Sequence, residues 1–347
     1  MKVSIRSIDQ IVTETLKACG ADAASLEAVL DTVHYANRCG VPTHGVGRLP
    51  LYVKKIQAGN FCPEDRVEVL SDSGATALLD AHNCFGQIAG KKAMDIAIEK
   101  AKEYGIAICG VRNSNNFSAA GYFGYYAAKQ GFAAIICANA APAIAPTGGN
   151  KTIFGTNPMC YAFPGTETRN PVILDMATTV AARGKIRLAA KNGEKIPMDW
   201  AVDADGHPTD DPNEALKGSL LPIGGYKGYG LSLFIDLFAG LLMGSAFAGG
   251  VKPLSKMDEA SGNGHMFIVF DVRRFMTAEE HAARLDCFYD AVRACGEKGC
   301  VWLPGEKELT RAAVQTDAVE ISAKQFEEIN AAAQSVGVLC RLEEYDG

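Results

Sequence analysis

The stretch that decides the fold is FGQIAGKKAMDIAIEKAKEYGIAICGV, residues 85–111. Its first part carries apolar residues at helical intervals and ends at Gly105, a residue type that commonly terminates helices. The apolar run IAICGV follows at once and is typical of a short buried strand. Because a helix that leads directly into a strand is the building unit of α/β proteins, this stretch predicts a layered α/β fold.

The same order of elements recurs further along the chain. SAAGYFGYYAAKQG (118–131) predicts a second helix and FAAIICA (132–138) a second strand. Residues 139–172 are rich in Pro, Gly, Asn and Thr, which predicts long, shaped loops rather than a regular element. Beyond them, PVILDMATTVAARGKIRLAAKNG (171–193) predicts a strand, a turn and a helix, and GHMFIVFD (264–271) predicts another strand.

Both ends of the chain carry helical patterns. Apolar residues recur at helical spacing over the first ~60 residues and again from about residue 277 to the end. We expect the two ends to pack together around the central α/β layer. The outer helical domain is then discontinuous, with residues 1–72 plus 277–347 forming one domain and residues 73–276 forming the α/β domain that binds cofactor and substrate.

The composition is that of an ordinary globular protein. The 347 residues are 48% hydrophobic and 21% charged with a net charge of −6, and the absence of a dense Lys/Arg block argues against nucleic-acid and membrane partners. The N-terminal MKVSIRSIDQ is polar rather than signal-like, so we expect a cytoplasmic protein. LSLFIDLFAGLLMG (231–244) contains Asp236 and is too short to span a bilayer, which predicts a buried core helix. The eleven cysteines form no CxxC pair, and we expect them to be reduced and buried.

Common nucleotide-binding and hydrolase motifs are missing. The sequence contains no GxGxxG fingerprint, no GxxxxGK[ST] loop, no HExxH and no GxSxG. Two other glycine–helix junctions can hold phosphate groups on free backbone N–H groups: the turn at Asp175–Thr179 and GGYKGYG at 224–230, where Lys227 adds a cation. Taken alone, each pattern favours an ordinary turn with packing glycines, because short glycine motifs occur often without a ligand.

The segment VPTHGVGRLPLY, residues 41–52, gathers side chains suited to acid–base chemistry on a small anion. His44, Arg48 and Tyr52 stand four residues apart, which in a helix puts them on one face. Arg48 can bind a carboxylate through two parallel hydrogen bonds, and His44 titrates near neutrality. Thr43 can cap the helix or donate to the substrate, and Tyr52 can close the pocket with its hydroxyl.

The same segment also allows a structural interpretation as a surface helix with a neutral histidine and a solvated arginine. Pro50 restricts the helical spacing to about Arg48, because proline kinks or breaks a helix interior. Across the whole sequence, no histidine has a second histidine, a cysteine or a carboxylate at a ligand spacing, so we expect no metal site.

Several long motifs run in order through the chain: THGVGRLPLY, RNSNNFSAAGYFGYYA, APTGGNKTIFGTNPMCYAFP, ILDMATTVAARGKI, WAVDADGHPTDDP, GGYKGYGLSLFIDLFAG and LPGE. Together they resemble the type 2 malate/L-lactate dehydrogenases over nearly the whole chain. The resemblance implies a fold that differs from the Rossmann fold, with a mixed central sheet and a discontinuous helical domain. It also implies an NAD(P)-dependent interconversion of a 2-oxo acid and a 2-hydroxy acid, or in some members the reduction of a cyclic imine.

The resemblance also implies roles for individual residues and a homodimer whose cleft is completed by the partner chain. His44 matches the family's proton donor, Arg48 its carboxylate-binding arginine, and Tyr52 a tyrosine that faces the same cleft. The residues that match three cofactor-contacting segments are Asp175, Met176, Ala177, Thr178 and Thr179; Lys227 and Gly228; and Pro304, Gly305 and Glu306.

The chain departs from the family pattern at three positions. Thr43 stands where the family usually has serine, Asn116 replaces a histidine, and Ser118 replaces a glycine. Since asparagine cannot exchange a proton near neutral pH, either His44 alone carries the proton or the substrate differs, and Asn116 can hydrogen-bond a substrate group instead. A catalytically silent relative that binds NAD is a further alternative. Arg183, Lys185 and Arg187 follow the cofactor turn and either favour the 2′-phosphate of NADP or point to solvent.

Overall fold

The computed structural model of the protein describes residues 1–41, 44–315 and 317–345. Over these residues the centre of the molecule is a seven-stranded sheet of order β2-β3-β4-β10-β5-β6-β7, flanked by two small two-stranded sheets. Within it β3 and β4 are parallel and the other neighbours antiparallel, so the predicted mixed sheet is confirmed. The strands are β1 (Lys2–Ser4), β2 (Glu68–Ser73), β3 (Thr76–Asp80), β4 (Ile106–Ser114), β5 (Phe132–Ala138), β6 (Met159–Phe163), β7 (Val172–Met176), β8 (Ala201–Val202), β9 (Ser219–Leu220), β10 (Asn263–Asp271) and β11 (Ala318–Glu320).

Helices cover both faces of the sheet and both ends of the chain. The α-helices are α1 (Ile5–Ala18), α2 (Ala23–Arg38), α3 (Leu49–Gln57), α4 (Gly86–Tyr104), α5 (Ala120–Lys129), α6 (Arg183–Asn192), α7 (Pro212–Lys217), α8 (Tyr226–Ile235), α9 (Ala278–Arg293), α10 (Glu306–Val314) and α11 (Ala323–Ser335). Two 3-10 turns lie at Val46–Arg48 and Val272–Arg274, and a π-helix lies at Asp236–Leu242.

The helix–strand pair that opens the chain's α/β region forms as predicted. α4 ends at Gly105, whose φ of +84° is the left-handed conformation that glycine adopts without strain. Neighbouring side chains of β10 point to opposite faces of the sheet. Phe267 lies in the large cluster with Phe123 of α5, whereas Met266 packs with Met243 on the opposite face. The sheet therefore separates two hydrophobic layers.

The loop region predicted for residues 139–172 contains one strand that the sequence analysis missed. β6 pairs with both β5 and β7, so the prediction that no regular element lies here is wrong for Met159–Phe163. Five residues between Pro158 and Pro164 are too few to show a strand pattern amid so many turn residues.

The two chain ends pack together, which confirms the predicted discontinuous arrangement. β1 pairs with β11 in an antiparallel ladder, and α11 packs against α1 and α3. One continuous hydrophobic cluster joins Val3 and Ile329 of the chain ends to Phe267 of the sheet. The division of the chain into residues 1–72 plus 277–347 and residues 73–276 stays a prediction.

The apolar run 231–244 is not the buried core helix that was predicted. Ile235 and Ala239 pack against the sheet, but Phe234 is 57% and Leu242 is 61% exposed. A helix that is apolar on all sides buries only the side that contacts another part of the chain. In this segment the sheet covers one side, and the other sides stay exposed. Among the described residues, no helix combines the length and the hydropathy that crossing a membrane requires.

The prediction that the cysteines are buried is confirmed for five of them, whereas three are half-buried and three are exposed. All eleven are free, but Cys287, Cys295 and Cys300 are exposed in and after α9. These three cysteines are exposed in a region where α9 buries few of its side chains. The spacing of the cysteines along the chain does not predict this exposure.

Candidate active site

The segment 41–52 is not one continuous helix. His44 lies in a turn, Val46–Arg48 forms a 3-10 turn, and α3 begins at Leu49. Pro50 is the second residue of α3 and therefore starts a helix rather than breaking one, since its missing N–H needs no partner in a first turn. The predicted stripe of three residues on one helix face is wrong. Thr43 lies outside the described residues.

His44 is half-buried beside the first of these turns. Its main-chain N–H donates to the carbonyl of Val41 at 2.9 Å, and its main-chain carbonyl accepts a hydrogen bond from Ser118 Oγ at 2.5 Å. Burial, and then the positive charge of Arg48, lowers the pKa of His44 from 6.5 to about 4. A pKa this low favours the neutral imidazole at pH 7.

Arg48 is half-buried, and its Nε is a buried donor without a hydrogen-bond partner among the described residues. Burial lowers the pKa of Arg48, and the charge of Arg187 lowers it further. Leaving a buried charged donor unpaired is costly, so such groups normally have a partner. A carboxylate ligand supplies the missing acceptor in the planar geometry that a guanidinium prefers.

Tyr52 lies in the core rather than at a cleft surface. It is 1% exposed, its ring packs against Phe61 and Phe85 with centroids 5.7 and 5.4 Å away, and its hydroxyl accepts a hydrogen bond from Gln87 Nε2 at 2.8 Å. This differs from the predicted tyrosine that closes the pocket with its hydroxyl. The new helix start at Leu49 is the reason, because it turns the residue toward the aromatic cluster.

The loop between β4 and α5 carries Asn116. Its Oδ1 accepts the N–H of Ser118 at 3.2 Å, whereas its Nδ2 forms no hydrogen bond within the described ranges. The preceding Asn115 anchors the loop by donating to the carbonyls of Asn83 and Cys84 at 2.9 and 3.0 Å. Asn116 therefore presents a free amide donor on a well-held loop.

His265, which the sequence placed only at the start of a strand, supports this loop from behind. It is fully buried, its Nε2 lies 2.8 Å from Ser114 Oγ, and Phe117 stacks on the ring at 4.5 Å between centroids. Burial lowers the pKa of His265 to about 3. No motif indicated this role, since burial depends on contacts with distant segments.

The turn Asp175–Thr179 follows the edge strand β7. Oδ2 of Asp175 accepts the N–H of Gly121 at 2.7 Å, and Thr178 donates from both N and Oγ1 to the carbonyl of Thr156 at 2.9 Å. Solvent reaches Asp175, but protein surrounds its carboxyl on most sides, and this desolvation raises its pKa to about 6. Met176 and Ala177 are half-buried.

The other two predicted cofactor segments meet this turn. Ile223 donates to the carbonyl of Thr178 at 3.0 Å, and Gly228 at the start of α8 donates to the carbonyl of Ile223 at 2.8 Å. Gly228 is buried, and Lys227 beside it is exposed. The glycine-rich start of α8 therefore lies next to the end of β7.

The third segment runs along β7 itself. Ile173 donates to the carbonyl of Pro304 at 2.9 Å, and a Cβ on Gly305, whose φ is +81°, would lie 2.7 Å from the carbonyl oxygen of Ile173. Glu306 is 7% exposed and accepts hydrogen bonds from the Leu303 N–H, at 3.0 Å, and from Arg293. All three segments that the sequence predicted as cofactor contacts are thus brought together.

Buried polar atoms without a partner among the described residues lie near the end of β7, where a dinucleotide can supply hydrogen-bond partners. Oγ1 of Thr179 is buried without a partner among the described residues, and so is Nε of Arg183 at the start of α6. The first turns of α6 and α8 have no side-chain cap, but main-chain carbonyls already accept some of their N–H groups, including those of Lys185 and Gly228. Lys185, by contrast, lies over the Trp200 ring at 5.9 Å.

One cluster of possible metal ligands lies elsewhere. Asp203, Asp205 and His207 bring one ligand atom each within 4.8 Å of one another, so the statement that no histidine has carboxylates at a ligand spacing is wrong for His207. Oδ1 of Asp203 already accepts the N–H groups of both other residues at 2.9 Å, which explains the cluster as a turn. That no metal is bound stays a prediction.

Comparisons with known proteins bear on the chemistry of the site. The sequence profile of the family described as malate/L-lactate dehydrogenase matches residues 3–330. The chain is 35% identical over 345 residues to the L-sulfolactate dehydrogenase of Methanothermobacter thermautotrophicus, covering 99% of this chain and 100% of that protein. The structure of sulfolactate dehydrogenase from Methanocaldococcus jannaschii matches with a TM-score of 0.90 and 34% identity, over 97% of this chain and 98% of that one. The Δ1-piperideine-2-carboxylate reductase of Pseudomonas syringae matches with a TM-score of 0.86 and 27% identity, over 96% and 99% of the chains.

The family match and these relatives place the chain in the class of NAD(P)-dependent dehydrogenases of 2-hydroxy acids. The chain belongs to the malate/L-lactate dehydrogenase family. The family and the fold class predicted from the sequence motifs are thereby confirmed.

Proposed function

We propose that the protein interconverts a small 2-oxo acid and the corresponding 2-hydroxy acid, with Arg48 binding the carboxylate and His44 exchanging the proton. The observation that carries the proposal is the pairing of a half-buried imidazole with a guanidinium whose Nε lacks an acceptor among the described residues. A 2-oxo acid offers a carboxylate as the acceptor for Arg48 Nε, and it carries an adjacent oxygen with which His44 can exchange a proton.

His44 donates the proton to the carbonyl oxygen during reduction and accepts it from the hydroxyl during oxidation. A positioned acid of this kind typically contributes ~10²–10⁴-fold to the rate. Its pKa of about 4 suits the neutral base of the oxidation direction. In the reduction direction, the bound carboxylate and the growing negative charge on the substrate oxygen raise that pKa, because negative charge favours the imidazolium.

Asn116 and Thr43 are proposed to add hydrogen bonds at the substrate. The free Nδ2 of Asn116 is a donor for the substrate oxygen or for the far end of the molecule. Tyr52 contributes to the site by holding α3 from within the core, since its hydroxyl is engaged by Gln87.

The cofactor is proposed to be NAD or NADP, held by Asp175–Thr179, by Lys227 and Gly228, and by Pro304–Glu306. When bound, it supplies or accepts the hydride at the substrate carbon. Two buried polar atoms without a partner among the described residues, Thr179 Oγ1 and Arg183 Nε, support this assignment. Comparing kcat/KM with NADH and with NADPH decides between the two cofactors.

A homodimer is proposed on the basis of the exposed apolar ridge formed by Phe234, Phe238, Leu241 and Leu242, each at least 44% exposed. Patches of this kind are uncommon on monomers. Substituting Leu242→Asp should convert a dimer to a monomer in sedimentation analysis, whereas Leu339→Asp, at a 92% exposed residue outside the ridge, should not. A cytoplasmic location is proposed as well, since eleven free cysteines suit a reducing compartment.

The test is His44→Ala, assayed by loss of reduced-cofactor absorbance with the best 2-oxo acid. Turnover should fall at least ~10²-fold while binding of the reduced cofactor is retained. His34→Ala provides a matched control, because His34 is also half-buried but pairs with Asp9 away from the site. Equal turnover by wild type and His44→Ala would exclude His44 as the proton-transfer group.

A second candidate is the reduction of a cyclic imino acid, favoured by the structural similarity to the piperideine-2-carboxylate reductase. A panel of pyruvate, oxaloacetate, 2-oxoglutarate, sulfopyruvate and a cyclic imino acid separates the two reactions. Cofactor binding without turnover on any of these substrates would indicate a silent relative instead.

A further inference from the structure

A buried serine connects the two segments that carry the proposed substrate contacts. The Ser118 hydroxyl donates to the main-chain carbonyl of His44 at 2.5 Å, and the Ser118 N–H donates to Oδ1 of Asn116 at 3.2 Å. Ser118 is 4% exposed, so water competes little for either bond. One residue thus bonds to the main chain of His44 and to the side chain of Asn116.

Stability alone does not explain a serine at this position. The φ of Ser118 is +73°, a left-handed conformation that glycine adopts freely and other residues adopt only with strain. That strain and the gain from one neutral hydrogen bond are similar in size and opposite in sign. Strained residues of this kind persist where the surroundings demand them, often at functional sites.

The loop that carries Ser118 is firmly held by the sheet side of the molecule. The Asn115 amide donates to the carbonyls of Asn83 and Cys84, and the Phe117 ring stacks on the buried His265 ring at 4.5 Å. The bond from Ser118 to His44 spans 74 residues of sequence. The serine hydroxyl therefore connects the His44 main chain to this loop, in addition to the hydrogen bond from the His44 main-chain N–H to Val41.

We infer that Ser118 is a positioning residue, whose hydroxyl fixes the His44 main chain so that the imidazole meets the substrate oxygen in the geometry that proton transfer requires. This inference rests on the proposed function of His44. Small displacements of a reacting group reduce rates strongly, while the binding of substrate and cofactor depends on other residues. The chemical step, rather than binding, is thus the property that Ser118 controls.

Two substitutions separate positioning from stability. Ser118→Gly removes the hydroxyl and the backbone strain together, whereas Ser118→Ala removes the hydroxyl and keeps the strain. We expect kcat for the best 2-oxo acid to fall roughly tenfold in both, with KM and cofactor Kd changed less than about twofold. The Tm should move differently, falling in Ser118→Ala and holding or rising in Ser118→Gly.

The solvent deuterium isotope effect on kcat provides the second readout. It should increase in both variants, because a misplaced His44 makes proton transfer more rate-limiting. Ala248→Gly is the matched control: Ala248 has a φ of +49° and is exposed away from the site, so its substitution should raise Tm without changing kcat or the isotope effect.

The outcomes are distinct. If wild type turns over and both Ser118 variants keep its kcat and isotope effect, or if kcat simply follows Tm across the set, the positioning role is overturned and the proposed function stands. If wild type binds cofactor but turns over no substrate of the panel, the proposed function fails, and the positioning role fails with it.

Discussion

His265 makes the stability of the protein depend on acid in a way that can be calculated. The ring is fully buried, and burial lowers its pKa from 6.5 to about 3. The folded protein therefore binds fewer protons than the unfolded chain at any pH between these two values. Stability from this residue is complete above the unfolded pKa and is lost as the pH falls toward the folded pKa.

The size of the effect follows from the linkage relation. As the pH falls from 7 to 5, the unfolded chain gains a stabilisation that corresponds to about 1.4 pKa units, and each unit is worth about 1.4 kcal/mol. The titration of His265 therefore lowers the free energy of unfolding by about 2 kcal/mol over this interval. His265→Asn removes the titrating group and keeps a polar atom that can pair with Ser114 Oγ, 2.8 Å from Nε2 in the wild type.

Urea unfolding followed by circular dichroism, at pH 7 and pH 5 and at one protein concentration, measures the difference. Wild type should lose about 2 kcal/mol more than His265→Asn over this interval, whatever the absolute stability of the variant. His44, whose pKa is also lowered, contributes equally to both proteins and cancels. The same pH dependence in both proteins would refute the reasoning, since it would mean that His265 titrates in the folded state as it does in the unfolded chain.

Three further predictions concern the site directly. Arg48→Lys should raise KM for the 2-oxo acid about tenfold or more in steady-state kinetics, because lysine cannot form the two parallel hydrogen bonds, and an unchanged KM would contradict carboxylate binding there. Between pH 5 and pH 8, kcat/KM for reduction should fall about tenfold per pH unit, because the free enzyme must be protonated at His44, whose pKa is about 4. Over the same range, kcat/KM for oxidation should show no loss from this group. Parallel pH profiles for the two directions would argue against His44. Gly305→Ala should lower Tm, and weaken cofactor binding measured by fluorescence, more than Gly337→Ala does. Both glycines have φ near +80°, but only at Gly305 would the new Cβ contact backbone, 2.7 Å from the Ile173 carbonyl oxygen. Equal effects of the two substitutions would contradict a close approach at Gly305.

Local patterns were sufficient to predict the elements between residues 85 and 138. The helical spacing ahead of Gly105 and the apolar run after it describe α4 and β4 without knowledge of any distant contact. β6 was missed because a five-residue strand becomes visible only through its pairing with β5 and β7. The apolar segment 231–244 was misassigned for a related reason, since sequence does not tell which sides of an apolar helix meet a neighbour.

The sequence predicted which segments form the candidate site, but not their geometry. The three segments predicted to contact the cofactor came from motif order, and hydrogen bonds around β7 bring them together; their cofactor role stays a prediction. The helical stripe predicted from His44 to Tyr52 was wrong, because Pro50 lies in the first turn of α3 and Tyr52 lies in the core. The left-handed backbone of Ser118 and the buried His265 had no signal in one sequence, because both depend on how separate loops meet.

The pairing of the first strand with the last has a consequence for synthesis in the cell. A hydrogen bond joins Met1 and Ile321, which are 320 residues apart in the sequence. At synthesis rates of about 5–20 residues per second, β11 and α11 are therefore made roughly 15–60 seconds after the amino-terminal helices. During that interval Tyr52 of α3 can already pack against Phe61 and Phe85, but the side of α3 that contacts α11 stays uncovered. A chain that ends before residue 318 would therefore contain His44, Arg48 and the three segments proposed to hold the cofactor, yet lack the helix that completes the packing around α3.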